Sequence, residues 1–199
     1  CWIYGFSAVG FFLLLTPLII LWPSVGPGKT LPATVVGLIL TDYYFKGDRI
    51  VLSNFKTAAG VFEQDKYLAL LQGAVNLVIS IALVQKIGLS GVYVGTIVSG
   101  LIANVTKPFI IYKACFDRDA KAYFVDSVKY LTVILGILAV LSGVKSAMLQ
   151  EITVWGFAGM FVLVVIVFNG VFLLLFGRTE EFGYLWGIVR KKLGKGQRP

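Results

Sequence analysis

Long, uniformly apolar runs separated by short polar breaks make up most of this chain. Exposed strands would show short alternating segments, and these runs do not alternate. A bilayer core is about 30 Å thick, so a spanning helix needs roughly 20 mainly apolar residues. Six runs meet or approach that length: about Trp2 to Trp22, Leu31 to Phe62 with polar interruptions, Tyr67 to Lys86, Val92 to Tyr112 with Pro108 inside, Tyr123 to Val144, and Ile152 to Phe176. In lipid the backbone must satisfy its own hydrogen bonds, which leaves helices or closed barrels. The pattern predicts an all-α, polytopic transmembrane helical bundle of six spans (2–22, 31–62, 67–86, 92–112, 123–144, 152–176) followed by a basic tail, 178–199. Short connections, such as the tight turn expected at Gly88 to Gly91, favour antiparallel neighbours.

Composition agrees with a lipid solvent. Of the 199 residues, 58% are hydrophobic and 14% charged, where a soluble domain carries about a quarter charged. Mean hydropathy is +0.87. The net charge of +8 does not imply nucleic acid, because the cations sit in short loops and the tail, where the positive-inside rule places them. Lys56, Lys66, Lys113, Arg118, Lys121, Arg178, Arg190, Lys191, Lys192, Lys195 and Arg198 fall on one side, and Lys29, Lys86 and Lys145 on the other. That asymmetry puts the tail in the cytoplasm and the Pro/Gly loop Pro23 to Lys29 outside. The chain starts at Cys1 within an apolar run, without a charged leader or a cleavage site, and reads as a fragment lacking its N-terminal part.

The second run carries the chemistry. Asp42, Lys46, Arg49, Ser53 and Lys56 are spaced by four, three, four and three, which places them in one helical stripe about 80° wide. Asp48 points elsewhere. A charge at a span's centre costs at least about 2.5–3.5 kcal/mol, so this stripe is expected to face a cavity inside the protein. Asp42 and Lys46 can pair at i,i+4. That leaves Arg49 without an obvious partner in its own helix, and a guanidinium suits a phosphate or pyrophosphate, which it grips with parallel hydrogen bonds. The competing reading breaks the segment at Gly47 and puts Lys46, Asp48 and Arg49 in a wet loop. Lys107, beside Pro108, either snorkels to the cytoplasmic interface or joins the cavity lining.

Gly73, Asn76 and Ser80 share one side of the third run, and Gly91, Gly95 and Ser99 step along the fourth. Small residues so spaced let helix backbones approach. Asn104 and Asn169 are candidates for interhelical hydrogen bonds. The tail has the makings of an interfacial helix around Phe182 to Leu193, in contact with membrane lipids. His is absent. There is no Gly-rich nucleotide loop, no cleft of paired carboxylates and no metal-ligand spacing at Cys1 and Cys115, so neither catalytic residues nor a cofactor or metal site is expected.

The stretch Phe55 to Ile102, with "NLVISIALV" (Asn76–Val84) and "GLSGVYVGT" (Gly88–Thr96), followed by "KPFIIYK" (Lys107–Lys113), resembles the polysaccharide transport family of O-antigen and capsule repeat-unit flippases. These belong to the superfamily of multidrug, oligosaccharidyl-lipid and polysaccharide exporters. The likeness covers about the first 125 residues and fades to hydropathy alone in the last two runs. The family's usual "GMR" stands here as Gly47, Asp48, Arg49, and Asp48 sets a negative charge beside the Arg. The resemblance implies a flippase of about 12–14 helices in a bacterial cytoplasmic membrane, not an enzyme. It would carry undecaprenyl-pyrophosphate-linked oligosaccharides outward by alternating access, alongside other polysaccharide-assembly proteins. Two other classes stay open: a multidrug or ion-coupled antiporter of the same superfamily, which needs a cavity carboxylate such as Asp42, and a polytopic polysaccharide-polymerising enzyme, which needs a catalytic loop or an intramembrane His.

Overall fold

The computed structural model describes residues 1–22, 30–61, 63–148, 151–180, 182–184 and 186–188. The Pro/Gly loop Pro23–Lys29, Phe62 and the tail residues Arg190, Lys191, Lys192, Lys195 and Arg198 lie outside them, as does part of the expected interfacial helix. Within that helix, 182–184 and 186–188 are helical.

Among the described residues there are six long α-helices, α1 (Trp2–Leu21), α2 (Ala33–Ala58), α3 (Glu63–Ile87), α4 (Leu89–Ile111), α5 (Lys121–Met148) and α6 (Val154–Phe176), and no strand. Among the described residues, five regions are long and apolar enough to cross a membrane: Trp2–Leu21, Lys66–Ile87, Leu89–Phe116, Lys121–Met148 and Val154–Phe176. This is the architecture of a multi-pass membrane protein. The count is five and not the six expected from the runs, because α2 carries Asp42, Lys46, Asp48, Arg49 and Lys56 along 26 residues and is too polar to qualify. It is nevertheless one unbroken helix through Gly47, which excludes the loop reading. Gly47 is buried, and a Cβ there would run into the ring of Tyr4. The glycine permits close approach of α1 and α2; it does not break the helix.

Gly88 alone separates α3 from α4. Its φ of 59° and ψ of −139° lie where side-chain-bearing residues are strained, so the expected tight turn is present but shorter, and α4 starts at Leu89. At its far end α4 passes Pro108 and loosens into one π-helical turn, Tyr112–Phe116, which stops at Asp117 in the left-handed conformation, φ 49°. Thr153 caps α6 by accepting the Gly156 N–H at 3.1 Å.

The helices pack as two groups joined through α1 and α2. In one, α1, α5 and α6 enclose Val9, Leu13, Ile137, Leu141, Met160, Val164 and Phe168, and α2 adds Tyr44. Trp2 and Tyr130 stack on Phe172, with ring centroids 6.4 and 6.2 Å away. In the other, α4 lies between α2 and α3, and glycines replace bulk: a Cβ on Gly91 would lie 2.5 Å from the Leu83 carbonyl carbon, and Gly95 abuts Ser80. Large apolar side chains such as Trp155 (87% exposed) and Leu174 (85%) face outward, as a lipid solvent allows.

Candidate functional site

A cavity of about 400 Å³ opens between α2, α3 and α4. From α2 come Asp42, Lys46 and Arg49; from α3, Gln72, Gly73, Asn76 and Leu77; from α4, Thr96, Ser99 and Gly100. The α2 wall exists because residues three and four apart on a helix share a face. Asp42 and Lys46 form the expected i,i+4 ion pair at 2.6 Å, with the Asp side chain 15% exposed and the Lys 56%.

Arg49 differs from its sequence-based expectation. Its Nη1 donates to the Gly100 carbonyl and to Asn104 Oδ1, both at 2.8 Å. The guanidinium is therefore a partnered group fixed in the cavity wall and not an unpaired one. Helical spacing could not show this, since both partners lie on α4, 51 and 55 residues along the chain. Asn104 thereby makes the interhelical bond expected of it. Asn169 does so too, accepting from Trp2 Nε1 at 3.2 Å.

The rest of the stripe is not brought into this cavity. Ser53 and Lys56 lie half-buried further along α2, and Lys107 half-buried in α4 beside the buried Pro108; none of the three walls the cavity.

The α3–α4 wall combines packing with lining. Ser80 donates to Asn76 Oδ1 at 2.9 Å, and Asn76 Nδ2 reaches Thr96 Oγ1 at 3.4 Å. Thr96 and Ser99 give their hydroxyl protons to the backbone carbonyls of Val92 and Thr96, each at 3.0 Å. Gln72 and Thr96 were not singled out by sequence reasoning. Three neutral polar residues at 72, 76 and 80 on one face of a greasy helix were the available signal.

Asp48 turns to a different face of α2, as its wheel position required. Its Oδ2 accepts from Tyr123 OH at 3.1 Å and Ser127 Oγ at 2.9 Å, and its Oδ1 from the Cys1 thiol at 2.9 Å. The carboxylate beside Arg49 is thus held by donors on α5 and at the start of α1. That cluster was also invisible in the sequence, its α5 partners lying 75 and 79 residues away.

Chemically, the cavity sets cationic and acidic side chains of one helix against neutral amides and hydroxyls of two others. Such an arrangement can hold a polar or anionic group within an apolar bundle. Compared with protein-family models, curated proteins and solved structures, the chain matches none.

Proposed function

We propose that this bundle belongs to a bacterial flippase that moves undecaprenyl-pyrophosphate-linked oligosaccharides from the cytoplasmic to the outer leaflet of the cell membrane. It would work by alternating access, without covalent chemistry and with the basic C-terminal tail in the cytoplasm. The observation that carries this reading is the polar cavity bounded by Lys46 and Arg49 in a chain otherwise built of apolar helices. An anionic headgroup that must cross lipid needs such a place. A partnered Arg49 suits the task, because its donors are already oriented when the ligand arrives. A pyrophosphate that exchanges with, or adds to, the neutral oxygens of Gly100 and Asn104 makes the stronger, charge-assisted contact. The sequence resemblance to polysaccharide repeat-unit flippases points the same way.

Arg49→Ala in the intact protein tests this. A hydrogen bond to a charged group is worth about 1.5–3 kcal/mol, so surface polysaccharide should fall by roughly tenfold or more while membrane insertion, read from a C-terminal fluorescent fusion, stays normal. Unchanged export would remove Arg49 from the mechanism. Asp42 also lines the cavity, which favours an ion-coupled antiporter as second reading. There Asp42→Asn would abolish ion-driven transport of a cationic drug, whereas the flippase has no such activity to lose.

A further inference from the structure

A second polar cavity, of about 300 Å³, lies between the last third of α1 and the last two turns of α5. Thr16 comes to it from α1, and Ser142, Lys145 and Ser146 from α5, over an apolar floor that includes Phe12. Nothing from α2 reaches it, and no acidic side chain lines it. Lys145 is half-buried. On the same helix Lys121 and Lys129 pair with Asp119 and Asp126, but among the described residues Lys145 has neither an ion pair nor a hydrogen bond. The hydroxyls beside it are equally unused. Ser7, Thr41, Thr132 and Ser146 give their protons to the carbonyl four residues back, whereas Thr16 and Ser142 make no such side-chain bond among the described residues. The side-chain atoms there that are both enclosed and unpartnered are Tyr44 OH and Gln72 Nε2. The polar tips of Thr16, Ser142 and Lys145 therefore keep accessible surface.

We infer that this cavity holds the phosphodiester of an anionic phospholipid headgroup, such as phosphatidylglycerol, with Lys145 as its cation and Thr16 and Ser142 as hydroxyl donors. The site is separate from the α2–α3–α4 cavity and does not depend on what that cavity carries. A lysine near a helix C-terminus is ordinarily explained by the macrodipole and by snorkelling. Those account for Lys145 on α5, but not for a cavity it shares with a hydroxyl from another helix. Depth fits a headgroup. Lys145 stands three residues before the end of α5 and Thr16 five before the end of α1, about 4.5 and 7.5 Å at 1.5 Å per residue. That is the boundary between acyl chains and headgroups, in the leaflet opposite the basic residues at 113–121, where the start of α5 lies. A cation held against the bundle in lipid needs an anion, and the described protein supplies none. A zwitterionic headgroup would bring an ammonium that finds no carboxylate here. The Ser146 oxygen keeps lone pairs after its proton goes to the Ser142 carbonyl and can accept from a headgroup glycerol hydroxyl. A headgroup so held bridges α1 and α5.

The experiment uses the intact protein in dodecyl maltoside micelles and follows its thermal midpoint as dioleoyl phosphatidylglycerol, dioleoyl phosphatidylethanolamine or sodium phosphate is added. A ligand that binds only the folded state raises the midpoint with concentration, so each titration yields an apparent affinity. Phosphatidylglycerol should raise the wild-type midpoint at about tenfold lower concentration than phosphatidylethanolamine, the scale of a hydrogen bond to a charged group. Lys145→Gln should abolish that preference and Lys145→Arg should keep it. Lys86→Gln, which removes an exposed cation at the end of α3, should also keep it. Equal response to the two lipids, or a Lys145→Gln protein that still prefers phosphatidylglycerol, overturns the site. So does loss of the preference in Lys86→Gln, which would make it a matter of net charge. A midpoint raised as well by sodium phosphate as by phosphatidylglycerol overturns the lipid as occupant. If Lys145→Gln does not fold, Thr16→Val decides. It should weaken phosphatidylglycerol alone by about two- to tenfold, the range for a neutral hydrogen bond, and an unchanged affinity overturns the site.

Discussion

Replacing Gly91 by Ala tests the packing that shapes the cavity's far wall. A Cβ at Gly91 would sit 2.5 Å from the Leu83 carbonyl carbon, 2.7 Å from its oxygen and 2.7 Å from the Val84 nitrogen. Ordinary contact begins at 3.4 Å, so α3 and α4 must part there by about 0.9 Å. All three atoms are helix backbone and cannot swing aside as a side chain would. Overpacking of this kind costs typically about 1–3 kcal/mol, and the number of atoms met puts Gly91 at the upper end. Ala also gains about 1 kcal/mol of helix propensity over Gly, which leaves a net loss of roughly 1–2 kcal/mol. Lipid supplies no hydrophobic drive to close the helices again. At Gly95 the nearest neighbour is the Ser80 hydroxyl, which can rotate, and at Gly73 there is nothing within 4 Å. The expected order of stability is therefore Gly73→Ala at or above wild type, Gly95→Ala below it, and Gly91→Ala lowest. Reversible unfolding in mixed detergent micelles, titrated with SDS, reads this directly. A Gly91→Ala protein as stable as Gly73→Ala would refute the close approach of α3 and α4.

Three further substitutions probe two other joints. Asp48→Asn replaces a carboxylate that accepts from Tyr123, Ser127 and Cys1 with an amide that cannot accept from all three, and should lower stability by about 1–3 kcal/mol. Tyr123→Phe should lower it by less, and a double-mutant cycle in the same titration should give a coupling clearly different from zero. Gly88→Ala forces a side chain into φ 59°, ψ −139° and should cost about 1–3 kcal/mol, read as a lower SDS midpoint with α-helical circular dichroism retained in the folded baseline.

The helices were legible because lipid imposes one crude demand on them. A run near 20 apolar residues is long enough to span, and the expected span from Tyr67 to Lys86 lies within α3, Glu63–Ile87. Ends were less legible. Val92 was expected to open the fourth span, yet Leu89 opens it, since a single glycine with positive φ makes the whole turn. In the second run the stripe of Asp42, Lys46 and Arg49 was readable, as shared helical faces follow from spacing alone. Its extent was not. Asp42 to Lys56 covers about 21 Å of helix at 1.5 Å per residue, and the cavity ends before Ser53. A wheel gives the direction a residue points in, but not what stands opposite.

That limit explains why α2 is both too polar to qualify as a span and a full member of the bundle. Each charge at a bilayer centre costs at least about 2.5–3.5 kcal/mol unless it is matched. Here Asp42 is matched by Lys46, Arg49 by α4, and Asp48 by α5 and the start of α1. Consecutive residues on a helix point about 100° apart, so Asp48 and Arg49 reach different neighbours from one turn of α2. One ties α2 to the α1–α5–α6 group, and the other to the α3–α4 pair. Sliding or rotating α2 against either group breaks a set of hydrogen bonds to a charge, and an unpaired charge is far costlier than a lost neutral bond. In the proposed transport cycle, then, a ligand anion that takes over the Arg49 contacts would free α4 from α2 while Asp48 still holds α2 to α5. The motion that ligand binding releases should lie between α2 and the α3–α4 pair, across the walls of the cavity itself.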